Sequence, residues 1–225
     1  LFRSSSLILE GSSGTAGCIL YPKGYLEQVK ELCDRYSVLL ICDEVMSGWC
    51  RTGKVFAYQH TSIEPDIITT AKGITSGYAP LGAVILSEKV AEVFDKMPFM
   101  CGLTYSGHQL SCNVAATCMH IYEQNDFKIL HDVNSLSTIL DKECNKIKDK
   151  ISFVKDFRLN GLLGCFELDL SDEQLTKLSS DLLDNGVYCL RIRENLFVSP
   201  PLTIYEQNML SAVDVIDYTF DNLSK

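Results

Sequence analysis

Asp43 and Lys72 each follow a short apolar run. Val38-Leu39-Leu40-Ile41-Cys42 delivers Asp43-Glu44-Val45, and Pro65-Asp66-Ile67-Ile68-Thr69-Thr70-Ala71 delivers Lys72-Gly73. Such runs, bounded by polar residues, read as buried parallel strands, with helix the competing reading. Ligands of open α/β sheets bind where the strands end. A carboxylate and an amine at one sheet mouth suit a particular chemistry. The lysine can hold an aldehyde as a Schiff base while the carboxylate keeps a pyridine nitrogen protonated, the two services that pyridoxal 5'-phosphate (PLP) needs. The attacking amine must be unprotonated, so desolvation or nearby positive charge has to lower its pKa. The plainer alternatives are a solvated Lys-Gly turn and an aspartate that caps the Glu44–Ser47 turn. A carboxylate ending so apolar a strand nevertheless needs a partner.

The elements that must position these groups alternate strand and helix. A strand at Leu7-Ile8-Leu9-Glu10 precedes an amphipathic helix from Pro22 to Tyr36, with Tyr25, Val29 and Leu32 on its apolar face. The helix feeds the Val38 strand, giving a strand–helix–strand unit with a right-handed crossover expected, and the Ile67 strand follows. Next come a Gly/Pro-rich loop over 73–80, a strand over 81–86, a short helix over 88–94 and a longer one over 108–124. Beyond Asn125 the character changes. A long helix over 126–150 carries Ile129, Val133, Leu136 and Leu140 in one stripe. Strands over 152–157, 162–170, 187–192 and 196–199 then accompany helices over 175–183 and 205–223. The expected organisation is part of a large α/β domain over 1–124 and a small α+β domain over 125–225.

Composition narrows the function. The chain has 225 residues, 46% of them hydrophobic, enough to bury a core. Its net charge of -9 offers no basic surface for nucleic acid. No apolar stretch approaches a membrane span, and no signal peptide is visible. None of the ten cysteines forms a CxxC pair, and Cys42, Cys165 and Cys189 sit inside apolar runs. They read as small buried hydrophobes in a reducing compartment, cytosol or mitochondrion, with no structural metal.

The segment from Leu39 through Asp43-Glu44-Val45-Met46-Ser47-Gly48-Trp49-Cys50-Arg51-Thr52-Gly53-Lys54 resembles the signature of class III (ω-type) aminotransferases. So do Pro65–Gly73, Pro80-Leu81-Gly82-Ala83 and Gly102-Leu103-Thr104-Tyr105-Ser106-Gly107-His108, in the same order. The resemblance implies the PLP-dependent transferase type I fold and a homodimer with active sites at its interface. It makes Lys72 the Schiff-base lysine and the carrier of the 1,3-proton transfer. It makes Asp43 the pyridine partner, Val45 the residue against the ring face and Met46 a neighbour of the cofactor's phenolic oxygen. Many members carry glutamine at the Met46 position, and methionine cannot donate that hydrogen bond. Thr104 matches a threonine that reaches the cofactor phosphate in the neighbouring subunit; otherwise it begins an ST-turn. Glu10 approaches the site by analogy, Arg51 reads as a loop anchor, and His60 and His108 as structural groups.

A substrate carboxylate calls for a bidentate arginine. Ornithine-type members carry it just before Pro-Pro, where this chain has Phe197 ahead of Pro200-Pro201. Arg191 and Arg193, a few residues upstream, match the carboxylate- or sulfonate-binding position of other subtypes; solvated strand charge is their alternative. The likeness is greatest to taurine–pyruvate and β-alanine–pyruvate enzymes, implying an ω-amino donor and a 2-oxo acid acceptor such as pyruvate. A glutamate-1-semialdehyde-type aminomutase shares these motifs. The chain opens at Leu1 rather than methionine, and its first strand already looks like the middle of a domain. Family members carry about as much sequence again upstream, including the phosphate loop and the ring-stacking aromatic, so the chain reads as a C-terminal half. An inactive truncated product is the third reading. The exposed half-sheet implies poor solubility.

Overall fold

The computed structural model describes residues 4–224; Leu1, where the chain opens, lies outside them. The described residues form two compact units. The first holds the residues up to Ser12, Tyr21–Cys50 and Lys54–Lys128. The second holds Ser13–Leu20, Arg51–Gly53 and the residues from Ile129 onward.

The first unit is built on β1 (Ser6–Glu10), β2 (Leu39–Asp43), β3 (Ile67–Thr70) and β4 (Ala83–Leu86), which lie in that order in one sheet. The first three run parallel and β4 is antiparallel to β3. Helix α1 (Tyr25–Arg35) crosses between β1 and β2 and closes a small core with Leu40, Cys42 and Ile63. Leu26 and Cys33 are the residues it buries. The expected face was different: Tyr25 is 42% and Leu32 49% exposed, and only Val29 belongs to both stripes. Asp66 ties this region together. It accepts the Leu40 N–H at 2.9 Å, and Lys30 and Lys89 approach its carboxylate at 3.7 and 3.4 Å. Burial pushes its pKa up, but the Leu40 N–H and the two lysines outweigh that and hold it below the usual carboxylate range.

Helix α2 (Glu88–Phe94) follows β4. Helix α3 (Gln109–Lys150) is broken inside, where Gln124 is extended and Asn125, Asp126 and Phe127 are left-handed. Beyond this break lies the second unit, whose antiparallel sheet has the order β5 (Val154–Asn160), β6 (Leu163–Leu168), β8 (Asn195–Val198), β7 (Arg191–Ile192). Helices α4 (Asp172–Asp184) and α5 (Glu206–Leu223) complete it. Ser171 and Gln174 start α4 with a reciprocal capping box. The core gathers Val133, Leu136 and Leu140 with Phe157, Phe166 and Phe220. The strand expected over 187–192 shrinks to two residues. At its start the Val187 N–H bonds back to the Leu182 carbonyl of α4 at 2.9 Å, and only Arg191 and Ile192 pair with β8.

Candidate active site

Three strand ends meet at the carboxyl edge of the first sheet. Glu10 pairs in register with Asp43, and Asp43 with Thr69. Lys72 lies three residues beyond Thr69, on a 3₁₀ turn over Lys72–Thr75. Side chains of register partners in adjacent strands project to the same sheet face, so Asp43 and Thr69 share one. Asp43 Oδ1 accepts the Val45 N–H at 2.9 Å, an Asx-turn that leads the chain off the strand. Among the described residues the other carboxylate oxygen has no hydrogen-bond partner. The buried hydroxyl of Thr69 has none either. Lys72 is exposed and makes no hydrogen bond or ion pair among the described residues. Val45 and Met46, half-buried, follow Asp43 in the same turn.

Lys72 adopts φ 46°, left-handed for a non-glycine residue. Such a conformation costs about 1–3 kcal/mol and persists only where its surroundings enforce it. Two residues that sequence reading left unassigned surround it. The buried Trp49 donates from Nε1 to Thr70 Oγ1 at 2.7 Å, just before the lysine. Tyr122, on α3, donates from its hydroxyl to the Gly73 carbonyl at 2.8 Å, just after it. The Trp49 and Tyr122 rings stack with centroids 5.7 Å apart. A Cβ at Gly73 would lie 2.6 Å from Trp49 Cβ, so this position accepts only glycine. Thr75 closes the turn by donating to the Ala79 carbonyl at 2.6 Å.

Glu44, next to Asp43, is wholly buried and structural. It accepts Ser47 Oγ at 2.5 Å, the Ala57 N–H at 2.9 Å and the Tyr58 N–H at 2.8 Å. Burial raises its pKa against the lowering effect of those three donors. Sequence reading gave Glu44 no role of its own beside Asp43. Alternation along the strand was the available signal.

Thr104 lies in the first unit, exposed, in a turn that the Ser106 N–H closes onto the Leu103 carbonyl at 2.9 Å. Arg191 and Arg193 belong to the second unit. Arg193 holds φ 55° in the β7–β8 turn, and Arg191 donates to its carbonyl at 3.2 Å. Arg191 also stands 4.0 Å from the exposed Asp172 carboxylate. Phe197 is 2% exposed and part of the core of that unit. Arg51 donates to the Leu162 and Pro200 carbonyls at 2.9 and 2.7 Å, an anchor as expected. Arg158 was not anticipated: half-buried, it binds Glu167 at 2.6 Å and the Gly17 carbonyl at 2.7 Å.

Residues 4–220 match the family Aminotransferase class-III. The chain belongs to the class III aminotransferase family. This aminotransferase chain is 32% identical over 223 residues to the adenosylmethionine-8-amino-7-oxononanoate aminotransferase of Staphylococcus aureus, covering 93% of itself and 49% of that protein. It is 36% identical over 201 residues to a probable aminotransferase of Mycobacterium tuberculosis, covering 82% of itself and 42% of the relative. Among solved structures, the taurine:2-oxoglutarate aminotransferase of Bifidobacterium kashiwanohense, in complex with PLP and glutamate, superposes with a TM-score of 0.92 at 31% identity. The superposition covers 97% of this chain and 52% of that one. The fold is therefore the type I fold of PLP-dependent transaminases, as the sequence implied. The chain spans about half the length of the relatives it matches.

Proposed function

We propose that this chain supplies the lysine and pyridine-binding part of a PLP-dependent transaminase. The observation that carries the reading is the sheet edge. Asp43 ends one strand, and Lys72 follows the adjacent parallel strand three residues past Asp43's register partner Thr69, whose buried hydroxyl has no hydrogen-bond partner. Buried polar groups seldom go unpaired, so the Thr69 hydroxyl, on the same sheet face as the Asp43 carboxylate, fits a polar ligand at this edge. PLP, when bound, supplies an electron sink for the carbon that loses its proton. The chain's own groups do the rest. Asp43 would hold the proton on the ring nitrogen, and Val45 and Met46, in the turn after it, would line the ring's site. Lys72 would hold the cofactor's aldehyde through its amine, and the same amine would carry the proton to and from the substrate's reacting carbon.

Thr104 serves the cofactor phosphate of a second subunit, which makes a homodimer the active form. Its place in an exposed turn, within a stretch that leaves Met100 89% and Leu103 79% exposed, supports that pairing. Arg191 and Arg193 bind the carboxylate or sulfonate of the substrate, and the reaction moves an amino group from an ω-amino donor to a 2-oxo acid such as pyruvate. A structural relative that acts on taurine and 2-oxoglutarate supports this substrate class.

The test is an absorbance spectrum of the chain with PLP, before and after borohydride reduction. A visible band whose reduced product maps to Lys72, and that Lys72→Ala lacks, is the expected result. A band that survives in Lys72→Ala, or label fixed on another lysine, would overturn the assignment.

A further inference from the structure

The left-handed backbone at Lys72 does not follow from its own residue type. Its neighbours on both sides are held by one pair of aromatic rings. Before the lysine, Thr70 is 2% exposed and its Oγ1 accepts the Trp49 indole N–H at 2.7 Å. After it, the Gly73 carbonyl accepts the Tyr122 hydroxyl at 2.8 Å, and the Gly73 Cα packs against Trp49 where a Cβ would not fit. The two rings stack on each other at 5.7 Å, and Phe56 meets Trp49 edge-on at 5.4 Å. Trp49 and Tyr122 are both buried, at 8% and 6% exposure. The pair is thus a rigid bracket whose two polar tips grip the residues at either end of Ala71-Lys72.

We infer that Trp49 and Tyr122 are positioning residues for the Lys72 amine. They fix Thr70 and the Gly73 carbonyl, and so the φ of Lys72 and the direction in which its side chain leaves the sheet edge. The inference rests on the proposed role of Lys72 and concerns residues that touch neither substrate nor cofactor. A lysine on an ordinary right-handed turn would leave the backbone in another direction, and a displacement of about 1 Å at a reacting group costs about 100-fold in rate.

Tyr122→Phe is the informative variant, because it deletes the hydroxyl that bonds the Gly73 carbonyl and keeps the ring stack. Two readouts serve. The first uses the full chain without cofactor: competitive acylation of Lys72, quantified by mass spectrometry against exposed Lys54 over a pH series. The second is the rate of borohydride-trapped attachment of PLP to Lys72. A single net hydrogen bond is worth about 1 kcal/mol, about five-fold in an equilibrium. We expect Tyr122→Phe to shift the Lys72 labelling profile and to slow PLP attachment by about five-fold, while Lys54 labels as before. Trp49→Phe, which removes the bond to Thr70, should do the same. If it fails to fold, Tyr122→Phe still decides. Unchanged Lys72 labelling and PLP attachment in Tyr122→Phe, even with a lowered melting temperature, would make the pair purely structural and overturn the inference. Shifted labelling in a chain whose Lys72 never takes PLP would overturn the proposed function and leave the bracket standing.

Discussion

At the residue scale, two neighbouring carboxylates divide the work. Asp43 uses one oxygen on the Val45 N–H, whereas Glu44 spends both oxygens on Ser47, Ala57 and Tyr58. Glutamine at position 44 would turn an NH₂ toward at least one of those donors. Glu44→Gln should therefore destabilise the chain by about 1–3 kcal/mol, measured as the shift of the urea midpoint at neutral pH. An unchanged midpoint would mean that the three donors are satisfied elsewhere. Asp66 provides the pH dependence. Its folded pKa is lowered, so its stabilisation is present above the ordinary aspartate value of about 3.9 and is lost as pH falls through the lower folded value. Asp66→Asn should lower stability at neutral pH and flatten the acid limb of a plot of urea midpoint against pH; an acid limb as steep as before would assign it to other groups. The place of Lys72 and Asp43 at the sheet edge was legible in sequence because each follows an apolar run. The bracket of Trp49 and Tyr122 was not, since their partners Thr70 and Gly73 lie tens of residues away and an aromatic in a helix looks like any core residue.

At the element scale, periodicity was a sound guide to where helices lie and a poorer one to which side they bury. Helix α1 offers two overlapping stripes, Tyr25-Val29-Leu32 and Leu26-Val29-Cys33, both with helical spacing. The larger side chains favoured the first. The fold buries the second: Leu26 and Cys33 close on Leu40, Cys42 and Ile63, while Tyr21 and Tyr58 from outside the helix cover the same core. Truncation should separate the two stripes. Leu26→Ala should cost about 2–4 kcal/mol and Leu32→Ala under about 1 kcal/mol in the same urea titration. Equal losses would restore the expected face. The β7 strand differs for another reason: Val187 to Ile192 has strand-like composition, but Val187 donates its N–H back to the Leu182 carbonyl of α4 and closes that helix instead. The break in α3 was legible as a change of character near Asn125. Its form, three successive left-handed residues at 125–127, is a backbone fact that residue type alone does not specify.

At the scale of the whole molecule, the question is what the exposed apolar surface does. Two surfaces compete. The sheet of the first unit has open edges at β1 and β4, where Ile8 is 58% and Val84 62% exposed, and such edges pair readily with other strands. The stretch over 97–110 exposes Met97, Phe99, Met100, Leu103, Tyr105 and Leu110 together. Monomers rarely leave so continuous an apolar segment in water. This chain of 25.1 kDa should therefore elute above its monomer mass on a sizing column, increasingly so with concentration. Aspartate at Met100 and Leu103 decides which surface is responsible. Neither residue is in the sheet or in a core, so the double variant should keep its circular dichroism. Return to monomer would assign self-association to the Thr104 segment, the surface a homodimer would need. Association unchanged by the two aspartates would assign it to the strand edges, and the turn that carries Thr104 would then lose its support as a subunit contact.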